Sequence, residues 1–258
     1  MTLRCENTPL YKLLGGKMKG NNGQKQILST ISNCIKEYDN NLLNKKIMFV
    51  LEDKSGNVQK EEMFFPKSSF YHLTGTIIKE IGSNNELNCY EVYDKIRDNK
   101  LSLNKYEIIE KDNTTGLKLN VLGQLMKIDQ VAKMLGNFNN TNILLQTEKI
   151  AGNVRACMGF VKDKKSKMYV PNTALQKDIR DITDSTNKII AILKKGIDEE
   201  LYCNITYIKN DYLIERILKN NYIKEMIDVD KIYSNKMEIN KKILEYKNET
   251  VEEKENKK

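Results

Sequence analysis

Histidine is almost missing from this chain: His72 is the only one in 258 residues. A catalytic metal centre built from several imidazoles is therefore excluded. Tryptophan is absent and proline occurs three times. The five cysteines, Cys5, Cys34, Cys89, Cys157 and Cys203, form no CxxC pair and no Cys/His cluster. That spacing does not support a structural zinc site or a disulfide framework, so free buried thiols are expected. No run of about 18 apolar residues exists to span a bilayer. The opening MTLRCENTPLYKLLGG lacks the basic region and long apolar core of a secretory signal. A cytoplasmic protein with no cofactor, no metal and no membrane contact is expected. The sequence also has no P-loop, no GxGxxG, no GxSxG and no paired carboxylates, so a two-metal nuclease is not supported.

What is abundant is positive charge, and it is unevenly spread. The net charge is +8, and ten Lys/Arg face only four Asp between Arg155 and Lys195. Clustered cations of this kind suit a polyanion, most often nucleic acid. Lys-rich composition alone is the plainer explanation.

Periodicity sets out the elements. Residues 1–23, with Gly15, Gly16, Gly20 and Gly23, read as an irregular lead-in. Gln24–Leu42 places Ile27, Ile31, Cys34, Ile35, Tyr38 and Leu42 on one helical face. Lys45–Leu51 and Val58–Phe65 read as a hairpin around the turn Asp53–Asn57. Thr74–Ile81 is expected to continue as a short helix. Asn88–Asp98 forms a second helix whose Tyr90 and Tyr93 either enter the core or stack on a base. Lys100–Lys111 is a connector, Asn113–Gly116 a turn, and Val121–Leu135 a third helix ended by Gly136.

From Thr141 the period changes. Asn142–Glu148, Val154–Lys162, Lys167–Val170, Lys188–Lys194 and Leu201–Ile208 read as strands, with a short helix from Pro171 through Ile182. Asp211–Ile227 and Ile232–Tyr246 return to helix, and Thr250–Lys258 is a polar tail. The fold expected is α+β, a curved antiparallel sheet of about five strands with an N-terminal hairpin and flanking helices. Residues 1–44 form a lead-in and helix, 45–208 the main domain, and 209–258 the C-terminal helices and tail.

His72 lies in FFPKSSFYHLTG, between the apolar anchors Tyr71 and Leu73. Imidazole is the side chain that exchanges a proton near neutral pH. Arg155, with Val154, Ala156 and Met158 alternating around it, can aim a guanidinium into a groove. Thr173 either binds a phosphate or caps the following helix. Lys194 ends an apolar strand, where it either projects from the sheet edge or is simply solvated. Cleaving RNA without a metal needs little more than a base for the 2′-hydroxyl, cations for the phosphorane and an acid for the leaving oxygen.

The order of these features resembles the phage Barnase–EndoU–Colicin–RelE-like nucleases, in the branch with an aromatic-x-His-Leu-x-Gly stretch. Here that stretch is Phe70-Tyr71-His72-Leu73-Thr74-Gly75. It is followed by Tyr93–Ile96, Lys100–Ser102, the run Val121–Leu135, Met158-Gly159-Phe160, Tyr169–Thr173 and the strand Lys188–Lys194. The resemblance spans roughly Ile47–Ile208. It implies an α+β fold and metal-independent RNA cleavage by a protein of mobile-element origin. The expected function is a toxin-like endoribonuclease with His72 as general acid or base, Arg155 and Lys194 stabilising charge, and Thr173 positioning phosphate. Lys149, Lys162, Lys164, Lys165, Lys167 and Lys177 would track the RNA. The alternative is an inactive nuclease fold that binds RNA or a host ribonucleoprotein, as an anti-CRISPR-type inhibitor would. An antitoxin partner is a further expectation.

Overall fold

A computed structural model describes residues 20–139, 146–209 and 214–234. The first element is helix α1 (Asn21–Asn41). It starts earlier than the glycines around it suggested. Its buried stripe is Ile27, Ile31, Cys34, Ile35 and Tyr38, the 3.6-residue period read from the sequence. Tyr38 anchors the helix. Its ring meets Phe70 edge-on at 5.3 Å, and its hydroxyl donates to the Pro66 carbonyl at 2.9 Å.

Strands β1 (Lys45–Glu52) and β2 (Val58–Phe64) form the expected hairpin. The Asp53 carboxylate accepts from the Ser55 and Asn57 backbone amides and closes the turn. Helix α2 (Lys67–Thr74) follows directly. Gly75, at φ +65°, ends it in the left-handed conformation that a glycine adopts without strain. The chain then enters strand β3 (Thr76–Glu80), which pairs antiparallel with β4 (Tyr106–Glu110). The helix expected over Thr74–Ile81 is thus a strand, because the helical turn falls one element earlier. Helix α3 (Cys89–Arg97) carries a capping box from Asn88 and Glu91.

The run Val121–Leu135 is not one helix. Helix α4 (Thr115–Leu125) stops, α5 (Ile128–Val131) makes one turn, and strand β5 (Met134–Phe138) begins. Leu122, Leu125, Ile128, Ala132 and Leu135 are all buried, so their spacing marked burial correctly and element type wrongly. Gly136 stops no helix. A Cβ there would lie 2.5 Å from the Ser185 carbonyl oxygen, so the close approach of β5 to the Ser185 backbone requires glycine.

The remaining strands are β6 (Lys149–Gly152), β7 (Cys157–Lys162), β8 (Tyr169–Leu175), β9 (Thr183–Gly196) and β10 (Asn204–Ile208). The strand expected over Asn142–Glu148 lies partly outside the described residues, and 146–148 precede β6. Pro171–Thr173 opens no helix. It lies inside β8 at a bulge: Gly159 pairs with Thr173 and Phe160 with Pro171, so Asn172 is the extra residue, and such an irregularity accommodates the proline. Between Pro171 and Ile182 the helical turn is Ile179–Asp181.

The sheet order is β1-β2-β8-β7-β6-β5-β9, and β9 returns to β1. The result is a closed seven-strand mixed barrel, with β10 as an eighth strand on β9 and few helices. This corrects the expected curved antiparallel sheet of about five strands. Two features make the difference. Strand β9 has 14 residues, enough to pair with β5 at its start and with β1 along the rest. Strand β2 meets β8 in parallel at Met63 and Tyr169. The N-terminal hairpin is therefore part of the barrel wall, and closure removes free edges.

One face of β1 (Ile47, Phe49, Leu51) joins the main core with residues of α1–α4 and the other barrel strands. The other face (Met48, Val50) packs against Tyr202, Ile214, Ile217 and Ile223. Burial on both faces explains the continuous apolar run. Of the helix expected over Asp211–Ile227, residues 211–213 lie outside the described residues, and the remainder holds two single turns, α6 (Ile214–Ile217) and α7 (Asn221–Lys224). Most of Ile232–Tyr246, the N-terminal lead-in and the polar tail lie outside the described residues.

Candidate active site

His72 sits near the C-terminal end of α2. Phe70 and Leu73 are fully buried on either side of it and fix the helix against the core. Tyr71 adds a third anchor: its hydroxyl accepts from the Ile78 backbone amide at 2.7 Å, and burial pushes its pKa up to about 12. The Thr74 hydroxyl donates to the Tyr71 carbonyl at 2.9 Å. His72 itself points outward and is exposed. Among the described residues nothing hydrogen-bonds its ring. The protein mass beneath it, and secondarily the Lys111 ammonium, hold its pKa below the ordinary imidazole value. At neutral pH the ring is therefore neutral and able to accept a proton.

The turn after His72 is tied down from the side. The Gly75 carbonyl accepts from the Lys111 amide at 2.9 Å and from the Thr115 hydroxyl. The stem of Lys118 lies across Gly75: a Cβ there would meet Lys118 Cδ at 2.8 Å and Nζ at 3.4 Å. Thus two lysines approach the His72 end of α2. Neither was singled out from the sequence. Lys111 closed a connector and Lys118 looked like one charge among many. Only the β3–β4 pairing and the start of α4 bring them to the histidine.

The other expected site residues are dispersed. Arg155 is not on a strand but in the turn between β6 and β7, where its amide donates to Asn153 Oδ1 at 2.8 Å. Its guanidinium is exposed and has no ion-pair partner among the described residues. Lys194 lies in β9 between β1 and β10, with its ammonium turned inward to Asp129 Oδ2 at 2.7 Å and the Asn41 carbonyl at 3.0 Å. Thr173 is buried in β8 and caps no helix. Among the described residues its hydroxyl has no hydrogen-bond partner, nor has that of Thr147. The two side chains flank Gly159, whose missing Cβ makes room for both methyls.

Of the lysines expected on RNA, Lys149 is paired with Glu61 at 2.7 Å. Lys162, Lys164, Lys165 and Lys167 stand exposed on the β7–β8 hairpin, and Lys177 is exposed beyond β8. Tyr93 is core, whereas Tyr90 is 55% exposed.

A closed mixed barrel that carries one exposed, neutral imidazole on a rigid helical turn, with cations beside it, has the parts for acid–base chemistry on a phosphodiester. The family described as phage-Barnase-EndoU-ColicinE5/D-RelE like nuclease4 matches residues 30–211, and the chain belongs to that family of phage-type nucleases. No curated protein and no solved structure matches it. Among the described residues, no helix is long and apolar enough to cross a membrane.

Proposed function

We propose that this phage-type nuclease is a metal-independent endoribonuclease, toxin-like in its action, with His72 as its acid–base residue. The observation that carries the reading is the state of His72: the chain's only imidazole, exposed, unpartnered, neutral at pH 7 and held on a fixed turn. In this reaction the neutral ring takes the proton of the ribose 2′-hydroxyl. The 2′-oxygen attacks phosphorus and the 5′-oxygen leaves, so the products are a 2′,3′-cyclic phosphate and a 5′-hydroxyl. The imidazolium then supplies a proton to the leaving oxygen. Lys111, whose charge acts on the His72 ring, is the cation placed to offset the charge developing on the phosphoryl oxygens. The exposed lysines of the β7–β8 hairpin track the strand beyond the cut.

The test is incubation of the full chain and its His72→Ala variant with labelled RNA in EDTA. Cleavage by the wild type alone, leaving cyclic phosphate ends, supports the reading. Equal cleavage by the variant removes His72 from the chemistry. A second reading, RNA or ribonucleoprotein binding without turnover, draws on Lys194 and Thr173. Both are withdrawn from solvent, which leaves fewer groups for catalysis. Tight, salt-sensitive RNA binding with no cleavage by either protein would favour it.

A further inference from the structure

We propose that Tyr90 is a base-stacking platform, whose exposed ring holds one nucleobase of the RNA strand that reaches His72. The inference rests on the reading of this protein as an RNA nuclease and deepens it. Tyr90 and Tyr93 both lie on α3, but only Tyr93 enters the core. Tyr90 is 55% exposed. Exposure alone is common on protein surfaces. Here the ring is also held in place. Lys67 lies over it, with Nζ 5.9 Å from the ring centroid. That lysine is itself fixed by the Asp94 carboxylate at 2.5 Å and by the Tyr93 ring at 5.6 Å. A cation on one face of the ring leaves the other for an aromatic partner, and every base offers a π-face.

The groove beside Tyr90 says which part of the strand it takes. It measures about 450 Å³, within the range of small-molecule sites. Its walls set the carboxylates of Glu91, Asp94 and Asp98 against the ammonium groups of Lys95 and Lys100. Arg97 also pairs with Asp94 and with Asp98. Such walls carry no excess of positive charge to hold a phosphate, and they offer polar partners to the edge of a flat, uncharged ring. A nucleobase fits that description. The platform also stands on the pair of helices that carries His72. Helix α2 packs on α3, and the Cys89 thiol acts on the Tyr71 hydroxyl. Cys89 and Tyr71 are the chain neighbours of Tyr90 and His72. Lys67, under the Tyr90 ring, and His72 are both in α2, roughly 7.5 Å apart along its axis. A strand lying over α2 and α3 therefore meets the ring and the imidazole a few nucleotides apart. Tyr222 is a natural control. It is 63% exposed with Lys60 over its ring at 5.2 Å, but it belongs to α7, which packs on the other face of β1.

The probe is a short 2′-O-methyl oligoadenylate, which has no 2′-hydroxyl to attack phosphorus and so binds without being cut. Its binding to the full chain is read by fluorescence anisotropy. Tyr90→Ala should raise the Kd about tenfold, the loss of one base stack, and Tyr90→Phe should stay near the wild type. Tyr222→Ala should bind as the wild type does. The salt dependence of Kd should be the same for the wild type and Tyr90→Ala, because no phosphate contact is removed. An abasic strand of the same length should bind these two proteins equally. A folded Tyr90→Ala variant with the wild-type Kd would overturn the proposal. So would the same loss on the abasic strand, a matching loss in Tyr222→Ala, or a wild type that ignores the oligoadenylate. Cleavage of unmodified RNA is read in parallel. Binding that depends on Tyr90 without cleavage removes the catalytic reading and leaves the platform standing. Cleavage by the wild type, with a Tyr90→Ala Kd that does not move, does the reverse.

Discussion

The buried pair Asp129–Lys194 gives the sharpest prediction. Asp129 is fully buried, and the Lys194 side chain is 13% exposed. One carboxylate oxygen accepts from Lys194, and the other has no partner among the described residues. The lysine also holds the Asn41 carbonyl at the end of α1, so the pair joins α1, α5 and β9. Lys194→Met strands an uncompensated buried carboxylate, a change that typically costs about 3–5 kcal/mol. With a urea dependence of about 2–3 kcal/mol/M for a small protein, the unfolding midpoint should fall by about 1 M or more. Added salt should not remove the difference, because a buried pair is poorly screened. The double variant Lys194→Met/Asp129→Leu should recover most of the loss, since replacing both charges by apolar groups is often neutral or better. Equilibrium urea unfolding followed by circular dichroism reads all three proteins. A Lys194→Met midpoint within error of wild type would refute the reasoning. The double variant also separates structure from chemistry. Retained RNA cleavage assigns Lys194 to the scaffold, and lost cleavage in a folded double variant places its ammonium in the reaction.

Three further outcomes follow from the site. Gly75→Ala forces a Cβ into a left-handed conformation at φ +65° and against Lys118. A loss of about 1–2 kcal/mol is expected in thermal unfolding, and an unchanged protein would contradict the backbone at this turn. Thr173→Val removes a buried hydroxyl that has no partner, so stability should hold or rise. A loss of more than about 1 kcal/mol would show a hydrogen bond that the structure lacks. His72 titrates below its unfolded value of about 6.5, so the unfolded chain binds more protons between the two values. The stability it contributes is full above the unfolded value and is lost as pH falls through that window. His72→Gln should flatten this part of a stability–pH curve. The cleavage rate should rise with pH through an apparent pKa below the usual imidazole value, and a flat rate profile across that range would count against a general base.

What was legible in the sequence was local. The α1 stripe and the Asp53 turn are decided within a few residues of chain, and each was found in place. What was missed depends on distant pairing. Nothing local says that Lys45 will face Gly196, the contact that closes one open sheet into a barrel. Strand β9 was read only over its apolar half. Its first residues, Thr183–Asn187, are polar and partly exposed, so they carry no strand pattern. The site divides in the same way. His72 stands out because it is unique, whereas Lys118 is one lysine among many until α4 lays it across Gly75.

The seam between β2 and β8 explains why the histidine sits where it does. A single parallel pair, Met63 with Tyr169, joins these strands by backbone, so side chains close the barrel there. Lys149 reaches across to Glu61 at 2.7 Å while its ammonium lies over the Tyr169 ring. Phe65 meets Phe160 edge-on at 6.0 Å. Pro66 cannot extend the strand ladder, and it starts α2. That helix packs on β8 beside the seam, with Phe70 and Leu73 facing inward and His72 facing out. The residues that anchor α2 to the barrel are therefore the same ones that aim the imidazole. Lys149 is engaged in holding this seam, whereas the lysines of the β7–β8 hairpin, Lys162, Lys164, Lys165 and Lys167, stand exposed.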